Sequence, residues 1–310
     1  MARRQKRRAV EKGLNRKLLY GVALVTIILL AVLVVYYIFF MPFTESWTAA
    51  IIDQLIIEED LFNCHFNDTI TSLLNTSGFD VKYYPGTIVT IDFYRELPLK
   101  GSKVIILRAH SAVRNKTNYV DLFTSELYNG EKEWQYSGYG DQISIAEFRY
   151  TGQKYLAIGP TFVKWSMKGR FDSNCVVVLM GCESLREPSM AQALIDKGAR
   201  VVFGWLTSDV VDSDADASTV QLLQFLLAEN PYNIQGAVDE INRKPHLNNA
   251  TLDYYPKDEK TKYYTIPKRK NQTLTGLIGE PFCILPLIIA PNWKLTKIEG
   301  LSERVTYSST

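Results

Sequence analysis

Two apolar runs of this chain each end on a side chain able to do chemistry. Val104-Ile105-Ile106-Leu107-Arg108-Ala109 leads into His110, and Val176-Val177-Val178-Leu179-Met180-Gly181 leads into Cys182. The length and β-branched content of both runs predict buried parallel strands. In open α/β sheets, ligands and chemistry gather beyond the carboxyl ends of the strands. If the two strands are neighbours, an imidazole and a thiol face each other there, which is the minimum equipment of a cysteine hydrolase. The chain has three His. His65 lies in the polar stretch Asn63-Cys64-His65-Phe66-Asn67, and His246 follows Pro245, so His110 alone is placed at a strand end. The competing reading is structural: a Cys after a strand is commonly an inert buried thiol, and a strand-end His a hydrogen-bonded surface residue.

The elements that must position this pair alternate along the chain. Helical patterns are expected at Ser46–Glu59, with Ile51, Ile52, Leu55 and Ile56 on the apolar side, and at Thr69–Asn75. A strand at Asp80–Tyr84 and a short helix at Thr90–Glu96, stopped by Leu97-Pro98, precede the strand Lys103–Leu107. Val120–Leu127, Gln142–Tyr150 and Lys154–Gly159 read as shorter strands or loops. Next come a strand at Cys175–Met180, a helix at Glu187–Lys197, a strand at Arg200–Gly204, and helices at Asp216–Glu229 and Asn233–Asn242. Such repeats predict right-handed crossovers and a mainly parallel sheet. From Leu247 to Thr273 the chain is polar and Lys-rich, an expected excursion, and Phe282–Ala290 is a candidate last strand.

Ahead of this region, residues 18–41 form an uncharged stretch of 24 residues. As a helix it is about 36 Å long against a roughly 30 Å hydrocarbon core. Tyr36 and Tyr37 near its end and Pro42 after it suit an interfacial boundary. Residues 1–17 carry eight basic side chains and one acid, which places the N-terminus in the cytoplasm and residues 43–310 outside the cell. A cleavable signal peptide has a shorter apolar core, and a basic run beside a membrane span is more economically a topology determinant than a nuclear signal. The expectation is a single-pass protein of the cell membrane, in contact with the lipid bilayer through one helix.

The chain is formally +2, and its first seventeen residues contribute +7, so the exterior part is near −5. That balance argues against a nucleic-acid partner. Five glycosylation sequons begin at Asn67, Asn75, Asn115, Asn249 and Asn271, in keeping with an exterior glycoprotein. All four Cys are exterior. With Cys182 kept as a free nucleophile, Cys64, Cys175 and Cys283 allow one disulfide and one spare thiol, with the pairing open. The roughly 265 residues after the anchor suffice for one α/β domain with its own core.

The residues around Cys182 resemble those of the caspase-like cysteine peptidases, the group of caspases, gingipains, separase and CHAT domains. Two blocks between Lys103 and Phe225 carry the likeness. The first is Val-Ile-Ile-Leu-Arg-Ala-His110-Ser111. The second is Val-Val-Leu-Met-Gly-Cys182-Glu-Ser, then Met190-Ala191-Gln192-Ala193-Leu194, then Lys197-Gly198-Ala199-Arg200-Val201-Val202-Phe203-Gly204-Trp205. The resemblance implies a three-layer αβα sandwich with a mainly parallel sheet, preceded here by one transmembrane helix. It also implies catalysis by His110 and Cys182, and an oxyanion hole from the backbone N–H groups of Ser111 and Cys182. Many members have Gly where Ser111 stands; the backbone donor survives the change. Ser208 to Asp216 is similar to the acidic segment that lines a basic-residue pocket in separase and CHAT proteins, which implies that Asp209 or Asp212 binds an Arg or Lys of the substrate. A solvated acidic loop, with Asp214 and Asp216 favouring a helix dipole, is the competing reading. An EF-hand fails, because the template needs Gly at Ala217 and Glu at Leu223.

The expected activity is hydrolysis of a protein or peptide through a thioester, cutting after basic residues, with no metal and no organic cofactor. Two rivals stand beside it: a catalytically silent caspase-like surface interaction module, and an acyl transferase or transpeptidase. The oligomeric state is not legible in the sequence.

Overall fold

The computed structural model describes residues 20–33, 47–57, 63–115, 117–148 and 151–267. Two compact units divide the chain, Met1–Trp47 and Thr48–Thr310. In the first, residues 20–33 form helix α1, with its apolar side chains exposed. The rest of the expected 18–41 span lies outside the described residues, and no described helix is long and apolar enough to cross a membrane.

The second unit is α/β. Its chain runs β1 (Thr48–Asp53), α2 (Cys64–Thr76), β2 (Asp80–Pro85), α3 (Ile91–Glu96) and β3 (Ser102–Arg108). An antiparallel excursion follows, with β4 (Ser111–Val113), β5 (Val120–Leu127), α4 (Gly130–Tyr136), β6 (Ile143–Glu147) and β7 (Lys154–Ile158). After α5 (Pro160–Trp165) the chain returns through β8 (Val176–Leu179), α6 (Ser189–Asp196) and β9 (Val201–Trp205). It then forms α7 (Asp212–Leu226), α8 (Ile234–Asn242), β10 (Leu252–Tyr255) and α9 (Glu259–Lys262). The six-stranded sheet has the order β10-β9-β8-β3-β1-β2, parallel except for the edge strand β10. The four-stranded sheet, β4-β5-β7-β6, is antiparallel.

Strand residues alternate between two apolar layers. Ala50, Ile52, Ile105, Leu107, Val177, Leu179 and Val202 join one core with buried residues of α3, α5 and α6. The alternate set, Ala49, Ile51, Val104, Ile106, Val176, Val178, Val201 and Phe203, is equally buried. It points to the other face, where α2, α7 and α8 pack on one another. Both faces are covered, an arrangement compatible with a three-layer sandwich.

Two expected elements differ. The helix read at Ser46–Glu59 is strand β1 followed by a 3-10 turn, Gln54–Ile57. Its apolar run fits a helix stripe as well as a buried strand, and pairing between β2 and β3 decides the matter. The expected excursion after Leu247 contains β10, whose Leu252 and Tyr254 are buried while Asp253 is not. Phe282–Ala290 lies outside the described residues.

The strand order fixes where the chemistry gathers. From β1 the chain steps to β2 on one side, then returns to β3, β8 and β9 on the other. Directions reverse between β1 and β3, and the crevice beyond their carboxyl ends is the favoured ligand position of such sheets. Gln54 follows β1 there, and His110 follows β3.

Candidate active site

β3 and β8 are parallel neighbours, so the loops carrying His110 and Cys182 leave the same end of the sheet side by side. The Met180 N–H extends the ladder to the Leu107 carbonyl at 3.0 Å. Beyond it the two loops interlock. The Ser111 hydroxyl donates to the Cys182 carbonyl at 2.6 Å. A Cβ at Gly181 would lie 2.3 Å from Ser111 Oγ, 2.5 Å from the Ala109 carbonyl oxygen and 2.7 Å from Ser111 N, so the approach requires glycine.

His110 is fixed at both backbone groups. Its N–H donates to Gln54 Oε1 at 3.0 Å, and its carbonyl accepts from Phe123 N–H at 3.0 Å. The half-exposed ring packs beside Phe148 and Phe123, at centroid distances of 4.7 and 5.8 Å. Cys182 is half-buried and its thiol donates to the Val210 carbonyl at 3.7 Å. Burial pushes that thiol up from its ordinary pKa; a backbone hydrogen bond at Val210 offsets part of this, and Asp212, Asp209 and Glu183 add to the rise. Glu183 holds a left-handed backbone (φ 55°) immediately after Cys182, with its N–H on the Thr207 carbonyl.

Both expected oxyanion donors are uncommitted among the described residues. Phe123 N–H bonds the His110 carbonyl, which makes Ser111–Leu122 a non-hydrogen-bonded rung and turns the Ser111 N–H away from β5. No described group accepts from the Cys182 N–H.

The acidic segment divides into separate tasks. Asp209 is exposed and Asp212 half-buried, and both act on the Cys182 thiol through their charge. Asp214 accepts from Leu247 N–H at 2.7 Å. Asp216 does not serve the helix dipole: α7 begins at Asp212, and Asp216 is buried against Arg108, Nε to Oδ1 at 2.8 Å and Nη2 to Oδ2 at 3.1 Å. The same guanidinium reaches Asp53 Oδ1 at 3.0 Å. Asn63 completes Asp216 at 2.8 Å, and Asn67 and Tyr83 complete Asp53 at 3.0 and 3.2 Å. Burial opposes the Arg108 charge, yet the two carboxylates outweigh it and hold its pKa above the ordinary value. Sequence reasoning missed Asp53, Gln54 and Arg108. A charge closing an apolar run was the available signal for Arg108.

Cys64, Cys175 and Cys182 carry free thiols, and Cys283 lies outside the described residues. Of the pairings left open, the one between Cys64 and Cys175 is therefore not made; Cys175 is fully buried where β8 begins. The sequon at Asn67 is also closed, since its amide is buried on Asp53. Asn75, Asn115 and Asn249 are exposed. Among the described residues no cluster of three His, Cys, Asp or Glu side chains is placed to hold a metal ion. Comparison with family models and with curated proteins finds no match to this chain.

Proposed function

We propose that this chain is a caspase-like cysteine endopeptidase on a single-span anchor at residues 18–41, working outside the cell. The observation that carries the reading is the junction of β3 and β8, where the Ser111 hydroxyl ties the His110 loop to the Cys182 loop at 2.6 Å. His110 takes the thiol proton, and the Cys182 thiolate attacks the substrate carbonyl carbon. The oxyanion is met by the N–H groups of Ser111 and Cys182, a contribution of about 3–4 kcal/mol per donor. Protonated His110 then gives its proton to the departing amine, leaving a thioester that water cleaves with His110 as base. Asp209 and Asp212, beside the thiol, suit a basic residue before the scissile bond.

The experiment is labelling of the purified chain with a thiol-reactive peptide probe, followed by a fluorogenic panel with Arg, Lys, Asp or a neutral residue at the cleaved position. Labelling of Cys182 that disappears in Cys182→Ala and His110→Ala, with turnover of the Arg and Lys substrates, is expected. Preference for Asp removes the pocket assignment. A second reading, a silent surface module with this fold, is favoured by the resting thiol, which is directed at Val210 and held protonated by burial and acidic neighbours. No labelling under reducing conditions selects it.

A further inference from the structure

β4 is the outer strand of the four-stranded sheet; no described strand pairs with its side away from β5, and the Gly181–Cys182 loop meets it at Ser111. Register decides what lines that edge. Ala112 and Asp121 form the hydrogen-bonded rung. Ser111 and Val113 occupy rungs of the other kind, because the flanking bonds run from Phe123 N–H to His110 and from Arg114 N–H to Tyr119. Their N–H and C=O groups point outward. Ser111 belongs to the Cys182 end, through its hydroxyl. Val113, two residues and about 7 Å further along, borders a polar groove of about 460 Å³ lined also by Asn115, Asn118, Glu183, Arg186 and Glu187. The far wall of this groove begins at the residue after Cys182. On its other flank Cys182 meets Val210, through sulfur. A chain laid across Cys182 from the 209–212 segment therefore runs on to Val113.

We infer that the departing side of a peptide substrate binds as an added strand on β4, exchanging main-chain hydrogen bonds with the Val113 N–H and C=O. The inference rests on the peptidase reading and names how its substrate is held. A strand places outward groups every second residue, so a peptide whose scissile carbonyl lies at the Ser111 N–H presents its second residue beyond the cut to Val113. Strand addition draws affinity from the main chain and selectivity from pockets for alternate side chains. The groove selects a polar side chain, since Asn115, Asn118 and the Glu183–Arg186 ion pair form its walls.

Two measurements test this. In the full chain carrying Cys182→Ala, amide exchange at Val113 is followed with and without a pool of octapeptides having Arg or Lys at position four and random residues elsewhere. The pool slows exchange at Val113 at least tenfold; unchanged exchange overturns the inference, whether or not the chain is a peptidase. In the active chain, Val113→Pro removes the outward N–H, at a place where an edge strand tolerates proline, together with an isopropyl group that packs on the core. It lowers kcat/KM on the octapeptides at least tenfold more than on a four-residue coumarin amide ending in the same basic residue. Equal losses on both substrates overturn the docking role. If the unaltered chain cleaves neither substrate, the peptidase reading fails and the exchange measurement still decides the docking.

Discussion

Arg108→Met removes the cation from between Asp53 and Asp216 while keeping much of the side chain's volume. The hydrogen bonds lost include those from Nε and Nη2 to Asp216 and from Nη1 to Asp53, all within 3.1 Å. Relative exposure of the three side chains is 1% for Arg108, 0% for Asp53 and 7% for Asp216, so water cannot replace what is removed. Breaking such a buried pair costs about 3–5 kcal/mol, because the stranded charges are no longer compensated. Against a total stability of about 5–15 kcal/mol this is a large fraction. At about 2–4 °C per kcal/mol for a domain of this size, the melting temperature falls by roughly 6–20 °C. Arg108→Lys keeps the charge and loses the fork, and falls between. Adding Asp53→Asn and Asp216→Asn to Arg108→Met recovers part of the loss, since the uncompensated charges are gone. Calorimetry of the four chains, with urea unfolding as a second measure, gives these differences. A loss below about 1 kcal/mol for Arg108→Met, or no recovery in the triple variant, refutes the account of the network.

Three further outcomes are expected. Alkylation of Cys182 by iodoacetamide follows a pH curve whose midpoint lies above that of an ordinary thiol; Asp212→Asn and Asp209→Asn each move it to lower pH, because losing a negative neighbour favours the thiolate, and superimposable curves sink the assignment. Gly181→Ala places a methyl 2.5 Å from the Ala109 carbonyl, so the interlocked loops must separate. Stability drops by about 1–3 kcal/mol, and probe labelling of Cys182 falls more than tenfold; normal labelling contradicts the close approach. Secreted from a glycosylating host, the folded protein carries glycan at Asn75 or Asn115 and none at Asn67, which peptide mass mapping resolves.

Legibility followed burial on two faces. β3, β8 and β9 are continuous apolar runs rich in Val and Ile, and any sequence reading finds them. β1 is as deeply buried, but Ala49-Ala50-Ile51-Ile52 followed by Leu55 and Ile56 satisfies a helical stripe too. Its identity is decided only by β2 and β3 on either side, contacts that no local window contains. β10 is short and half polar, and only the alternation of Leu252 and Tyr254 marked it. At the site, His110 and Cys182 stood out because each ends a legible strand. Gln54 and Asp53 were hidden by the misread β1, and the Arg108–Asp216 pair is separated by 108 residues.

That pair and Asp53 border the site from three sides. Asp53 precedes Gln54, whose side chain holds the His110 N–H. Arg108 stands two residues before His110. Asp216 lies one helical turn after Asp212, on the helix that begins beside the carbonyl meeting the Cys182 thiol. Each carboxylate of the network is thus covalently close to a different wall of the crevice, and the guanidinium fixes the walls relative to one another. An apolar replacement of the whole network recovers stability, as buried ion pairs commonly allow. It cannot recover the forked geometry, through which Arg108 holds β1 and α7 to β3 at one spacing.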